Sequence, residues 1–195
     1  MRKQHTPFHS LSVAAVGGLL ATLVACGGSA SKTNDLTAGS GAKMLTYSAP
    51  APSGFYLVRD GSSTSNHLVL NLQGPQGTQV KGVVLSLDAD ASKAVWSSPG
   101  GSDPFLREGG ALSLGSGTKL LKSQVDGQTL QAAIFQKGST DAATLGSQAI
   151  LSVALDLKAG AKTGKVNLSS ASAQILDANG KVQVITVAVG TLTAE

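Results

Sequence analysis

The chain has 195 residues and a formal charge of +4, with charged residues at 13%, aromatics at 4% and 24 glycines. Its Lys and Arg residues are scattered singly, so there is no basic face of the kind a nucleic-acid partner needs. A single cysteine excludes disulfides and cysteine-based zinc sites.

Residues Met1 to His9 contain Arg2 and Lys3 and no acid, and Leu11 to Val24 is uncharged and rich in Leu, Val, Ala and Gly. That run has the length of a secretory signal core and falls short of the roughly 20 apolar residues a spanning helix needs. It ends in Leu23-Val24-Ala25-Cys26, followed by Gly27-Gly28-Ser29. This resembles the lipobox of bacterial lipoproteins, with Leu23 at −3 and Ala25 at −1. The resemblance implies removal of residues 1–25, a thioether-linked diacylglyceryl group on Cys26 and acylation of the new amino terminus. Two or three acyl chains hold a protein stably where one would not. The other readings are an ordinary signal peptide, which leaves Cys26 an incidental thiol, and a transmembrane anchor. Gly27 is not the Asp that in some diderm lipoproteins marks inner-membrane retention, so an exported, lipid-anchored protein of the outer membrane is the expectation. Loss of Arg2 and Lys3 lowers the charge to +2.

Residues 26–43 comprise the lipidated Cys and a Gly/Ser-rich tether without apolar periodicity. As a random coil such a length spans roughly 20–25 Å. From Met44 to Glu195 short apolar runs alternate with turn signals, which reads as one domain. Met44–Tyr47 is an expected edge strand, stopped by Pro50 and Pro52. Gly54–Asp60 and His67–Gln73 follow, the latter with Leu68, Leu70 and Leu72 on one face. Gly74, Pro75 and Gly77 turn the chain into Val80–Leu87, and Ala94–Trp96 closes this half. In the second half Ala111–Leu114 and Lys119–Val125 read as strands. Asp126-Gly127 between two apolar runs signals a hairpin returning along Thr129–Phe135. After the polar stretch 137–146, in which Asp141–Gly146 has room for one helical turn, Ala149–Leu157 puts Leu151, Val153, Leu155 and Leu157 on one face. Val166–Leu168 and Ala173–Leu176 lead to a turn at Asp177–Gly180. Val182–Val189 is the expected last long strand, with Val182, Val184, Thr186 and Ala188 on one side, and Thr191–Thr193 ends the chain. No segment keeps a helical period for three turns. About nine strands at this spacing predict an all-β fold, an antiparallel β-sandwich of jelly-roll type.

The order of HLVLNLQG, VKGVVLSLDADASKAVW, the Asp-Gly hairpin into LQAAIF, TLGSQAILSVALDL and the hairpin across LDANGK resembles the cohesin domain. That family is a nine-stranded jelly roll related to some carbohydrate-binding modules. The resemblance covers Gly54 to Glu195, with Leu87-Asp88 and Trp96 in the family's Asp and downstream aromatic places. It implies the fold and a binding role, since cohesins bind dockerins through one sheet face. No dockerin-contact residue is matched here.

Candidate sites are few. Asp88, Asp90 and Ser92 are spaced as in the first half of a calcium loop, but Lys93 and Pro99 stand where an EF-hand requires Gly and Glu. A polar turn capping a strand is the better reading. Trp96, the sole tryptophan, is either a core plug, which the fold pattern favours, or a sugar-stacking platform. Tyr56 and Phe55 are adjacent, so one of them faces outward on a strand, and Tyr56 is the second ligand-facing aromatic to consider. His67, the only histidine after signal removal, lacks a second His or a Cys for metal binding or Ser-His catalysis. Ser113–Ser116 only superficially matches a nucleophile elbow. Neither a catalytic group nor a cofactor or metal is expected. The function predicted is a non-enzymatic, lipid-anchored binding module whose partner is an envelope protein, or alternatively a glycan.

Overall fold

Side chains that alternate between apolar and polar can put all their apolar members on one side only if the backbone is extended. The computed structural model describes residues 41–112, 118–137 and 141–195. The signal segment, Cys26, the tether to residue 40 and Ser113–Ser116 lie outside the described residues. Fifteen strand segments run through the described residues. They are β1 Leu45–Ser48, β2 Phe55–Arg59, β3 His67–Gln73, β4 Gln79–Ala89, β5 Ala94–Ser97, β6 Arg107–Glu108, β7 Thr118–Asp126, β8 Thr129–Lys137, β9 Ala143–Thr144, β10 Leu151–Leu157, β11 Gly164–Val166, β12 Leu168–Asp177, β13 Val182–Val184, β14 Val187–Ala188 and β15 Thr191–Ala194.

Two sheets form the sandwich. The first has the order β14-β2-β3-β10-β5, with β6 also beside β10; the second has the order β13-β12-β4-β8-β7, with β9 beside β4. A small closing sheet, β1-β15-β11, completes the domain. The pairings are antiparallel apart from β14 with β2. Between the sheets pack Leu57, Leu68, Leu70, Leu72, Val153 and Leu155 from the first, and Val83, Leu85, Leu87, Leu130 and Ile134 from the second, all essentially inaccessible to water. The predicted β-sandwich is therefore the observed fold, and the long alternating runs became its central strands. The Asp126-Gly127 hairpin is tight: Asp126 pairs with Thr129, so Gly127 and Gln128 alone make the loop, and Gly127 takes a φ of 58° that suits it as the first loop residue.

Four expectations need correction. Of the strand expected over Ala111–Leu114, the residues Ser113 and Leu114 lie outside the described residues, and Ala111 and Leu112 belong instead to a turn of 3-10 helix, Gly110–Leu112, in which Leu112 is buried. Two alternating residues after a Gly-Gly pair are too few to hold an extended chain. The helical turn expected in Asp141–Gly146 is instead β9, paired with the start of β4. Ala143 and Leu145 are buried there at strand spacing, and a single isolated turn of helix carries the whole nucleation cost. Val182–Val189 is not one strand. Val182–Val184 pairs with β12, Ile185 N–H donates to Ala173 O at 3.0 Å, and Val187–Ala188 then joins β2 in the other sheet. Val182 and Val184 consequently face water while Val187 is buried. The last residues of the tether are also fastened to the domain: Ala42 N–H donates to Ala161 O at 2.7 Å, and Lys43 N–H donates to Glu195 O. The two-residue β6 was not anticipated.

Candidate docking face

The outward faces of the two sheets differ. On the first sheet Val69, Ala154 and Ser152 point away from the core yet are 1%, 1% and 2% exposed, because loops cover them. Asp60 N–H donates to Val69 O at 2.9 Å, and Ser63 bonds the same residue through its hydroxyl. From the other side Arg107 donates to Pro99 O at 3.1 Å and to the Ser152 hydroxyl at 3.3 Å, and its guanidinium lies 3.4 Å from Asp60. Asn71 joins the group, giving a hydrogen bond to Asp60 at 2.6 Å and accepting one from Ser152 at 2.7 Å. Hydrogen bonds from Ser62, through hydroxyl and backbone, and then from Asn71 pull the Asp60 carboxyl down to a pKa of about 2. The loop between β5 and β6 reaches the edge of the second sheet, where Asp103 accepts from the Ser123 N–H at 3.1 Å and from the Ser123 hydroxyl. The middle of this face lies under loops, while Val95, His67 and Asp156 at its β5 end stay open to solvent.

The second sheet's outer face is open. Cross-strand register sorts it into rows. At one end Val182, Leu176, Gly82, Phe135 and Leu120 lie side by side, all without a polar side chain. Next come Val184, Gln174, Val84, Ala133 and Lys122, then Ser172, Ser86, Gln131 and Gln124. The far end holds Ser169, Asp88, Thr129 and Asp126. Leu120, Val182 and Val184 are 51%, 64% and 81% exposed. A Cβ on Gly82 would overlap the Phe135 ring, so the glycine lets that ring lie across β4. Beside it a depression of about 130 Å³ opens between Phe135, Leu176 and Val182. At the opposite end a polar depression of about 350 Å³ is lined by Asp88, Asp90, Gln128 and Asn167.

The structure places the sequence candidates apart from one another. Trp96 is in the core, 8% exposed, and its indole N–H donates to Gln128 O at 2.8 Å. It is withdrawn as a sugar platform. Tyr56 does face outward, on the first sheet, half-buried and donating its hydroxyl to Gln73 at 2.6 Å. Trp96 lies in the core, so the two do not share a face. His67 meets Asp156 at 2.5 Å across β3 and β10, a cross-strand partner that the sequence did not reveal. Asp90 closes the turn as read, accepting from the Ser92 N–H at 2.9 Å and the Ser92 hydroxyl at 2.6 Å, which lowers its pKa. Asp88 instead turns to the open face and accepts from the Thr129 hydroxyl at 2.5 Å. Among the described residues no three His, Cys, Asp or Glu side chains gather as metal ligands. Register was the missing information: Leu120 and Phe135 come from one hairpin and Leu176 and Val182 from another, and only the pairing of both with β4 brings them into one row.

No protein-family model matches the chain, and no curated protein matches it by sequence. Solved structures match its fold. The second type II cohesin module from the adaptor ScaA scaffoldin of Acetivibrio cellulolyticus aligns over 73% of this chain and 90% of its own, with a TM-score of 0.57 and 8% identity. The type II cohesin A11 from Bacteroides cellulosolvens aligns over 72% and 98%, with a TM-score of 0.52 and 11% identity. The sixth cohesin of the A. cellulolyticus scaffoldin B, solved in complex with a mutant Cel5 dockerin, aligns over 71% and 97%, with a TM-score of 0.51 and 15% identity. The fold is a cohesin-like β-sandwich. At these identities the likeness carries no residue role across.

Proposed function

We propose that this protein is a non-enzymatic binding module, lipid-anchored to the cell envelope through Cys26, that docks a protein partner on the outer face of its second sheet. One contrast carries the reading. The middle of the first sheet's outer face is buried under the protein's own loops, while the second sheet presents Leu120, Val84, Val182 and Val184 to solvent among described side chains of which Lys122 alone is charged on the two central rows. Exposed apolar groups ringed by polar ones mark interaction surfaces. A cohesin of the same fold has been solved with a dockerin bound, which makes a dockerin-like protein the first partner class to try. The anchor rests on Leu23-Val24-Ala25-Cys26, and the outer membrane is its proposed destination.

The test is partner capture from envelope extract with the full chain, comparing wild type with Ala133→Glu. Ala133 is central to the open face, so a new carboxylate there disturbs docking without touching the core. A protein captured by wild type and reduced at least tenfold by Ala133→Glu is the expected result. Equal capture by the two proteins overturns the assignment of the face.

A further inference from the structure

The open face has polarity along its strands, and this limits what fits it. Its apolar depression is walled by Phe135, Leu176 and Val182 with Gln174 at the rim, and at about 130 Å³ it is close to the size of an apolar cavity that takes a benzene-sized guest. Gly82 lets the Phe135 ring lie across β4 in their row, and that ring forms one wall of the depression. Six residues further along β4, about 20 Å away at the usual strand rise, Asp88 and Asp126 lie in one row on either side of Thr129. The charged side chain described on the two central rows is Lys122, toward the apolar end. A partner must therefore bring an aliphatic group to one end and positive charge to the other.

Resting on the docking reading above, we propose that the partner binds in one orientation, seating a single aliphatic side chain in the Phe135–Leu176–Val182 depression and a basic side chain against Asp88 and Asp126. The Gln and Ser side chains between the two ends supply uncharged hydrogen-bonding groups. They tolerate many sequences, so the two ends select the partner and its direction. Charge at the rim of such a surface acts mainly on encounter and orientation, and is sensitive to salt.

The test uses synthetic probes and needs no identified partner. The full chain, held in lipid nanodiscs with labelled Val and Leu methyls, is titrated at low ionic strength with acetyl-Leu-(Ser)5-Lys-amide. Its Leu and Lys are six residues apart, matching the distance between the two ends. Two control peptides replace Leu with Ala or Lys with Glu. Saturable shifts at Val84, Leu176 and Val182 methyls are expected, with binding at least threefold weaker for either control. In Val182→Asp the Leu-to-Ala difference should vanish, and in Asp126→Asn the Lys-to-Glu difference should shrink at least twofold. Both positions are exposed, so neither change threatens folding, and retained methyl dispersion verifies this. Equal binding of the three peptides, or differences indifferent to both substitutions, overturns the proposal. Loss of partner capture in Ala133→Glu together with equal peptide binding would leave the docking face standing and remove only its polarity. Unchanged capture with discriminating peptides would do the reverse.

Discussion

Ser97 carries a buried hydroxyl that has no hydrogen-bond partner among the described residues. Burying such a group unpaired costs about 1–3 kcal/mol. Ser97→Ala is expected to raise unfolding stability by about 1 kcal/mol, read as a higher urea midpoint at unchanged m-value. Asp60 acts in the opposite sense. Its pKa of about 2 in the folded protein lies below the roughly 3.9 of an unfolded Asp. The stabilisation is therefore complete above about pH 4 and is lost as pH falls from about 4 toward 2. Melting temperatures across that range should show wild type above Asp60→Asn at neutral pH and the gap closing with acid. A gap that stays constant would mean that the Ser62 and Asn71 hydrogen bonds do not favour the ionised carboxyl. Neither role could be read in the sequence: a Ser at the end of β5 and an Asp before a Gly look ordinary until the neighbouring strands and loops are laid beside them.

At the scale of elements, legibility followed the length of the alternation. β3 was predicted at its observed bounds, and β4, β8 and β10 to within a few residues, because each holds three or more apolar residues on one face and a register slip would expose them all. β6 and β9 are two residues long and are defined by what they pair with, so their own composition says nothing. The Val182–Val189 run misled because β-branched residues fit either sheet, and a break at Ile185-Thr186 needs no Gly or Pro when the chain only changes sheets. The Asp126-Gly127 hairpin was legible from two residues. Gly127→Val puts a β-branched side chain at a φ of 58°, and should lower stability by about 1–2 kcal/mol, measured by equilibrium unfolding. A loss below a few tenths would mean the loop relaxes into another turn type. The open face was the least legible part, because the alternation that marks a core face says equally that the other face is exposed on both sheets. Only the loops folded over the first sheet make the difference.

For the whole molecule, the cysteine's place in the sequence leads to a direct test. Cys26→Ser should abolish incorporation of labelled palmitate and move the protein from the detergent phase to the aqueous phase on Triton partitioning. Retention in the detergent phase would favour a spanning anchor. The described domain also has a direction relative to its N-terminal side. Ala42 bonds Ala161, and Lys158 near it donates to Ala91 O at 2.9 Å, in the turn that follows Asp90. The chain thus joins the domain beside the acidic end of the open face, and the apolar row lies about 20 Å up β4.

The same arrangement sets how the domain answers to force. Leu45 pairs with Ala194 where the chain comes in and goes out, so tension between Gly41 and Glu195 opens β1 from β15 one rung at a time, the weakest way to load a pair of strands. A domain of this design yields first at β1 and β15 when it is pulled between Gly41 and Glu195.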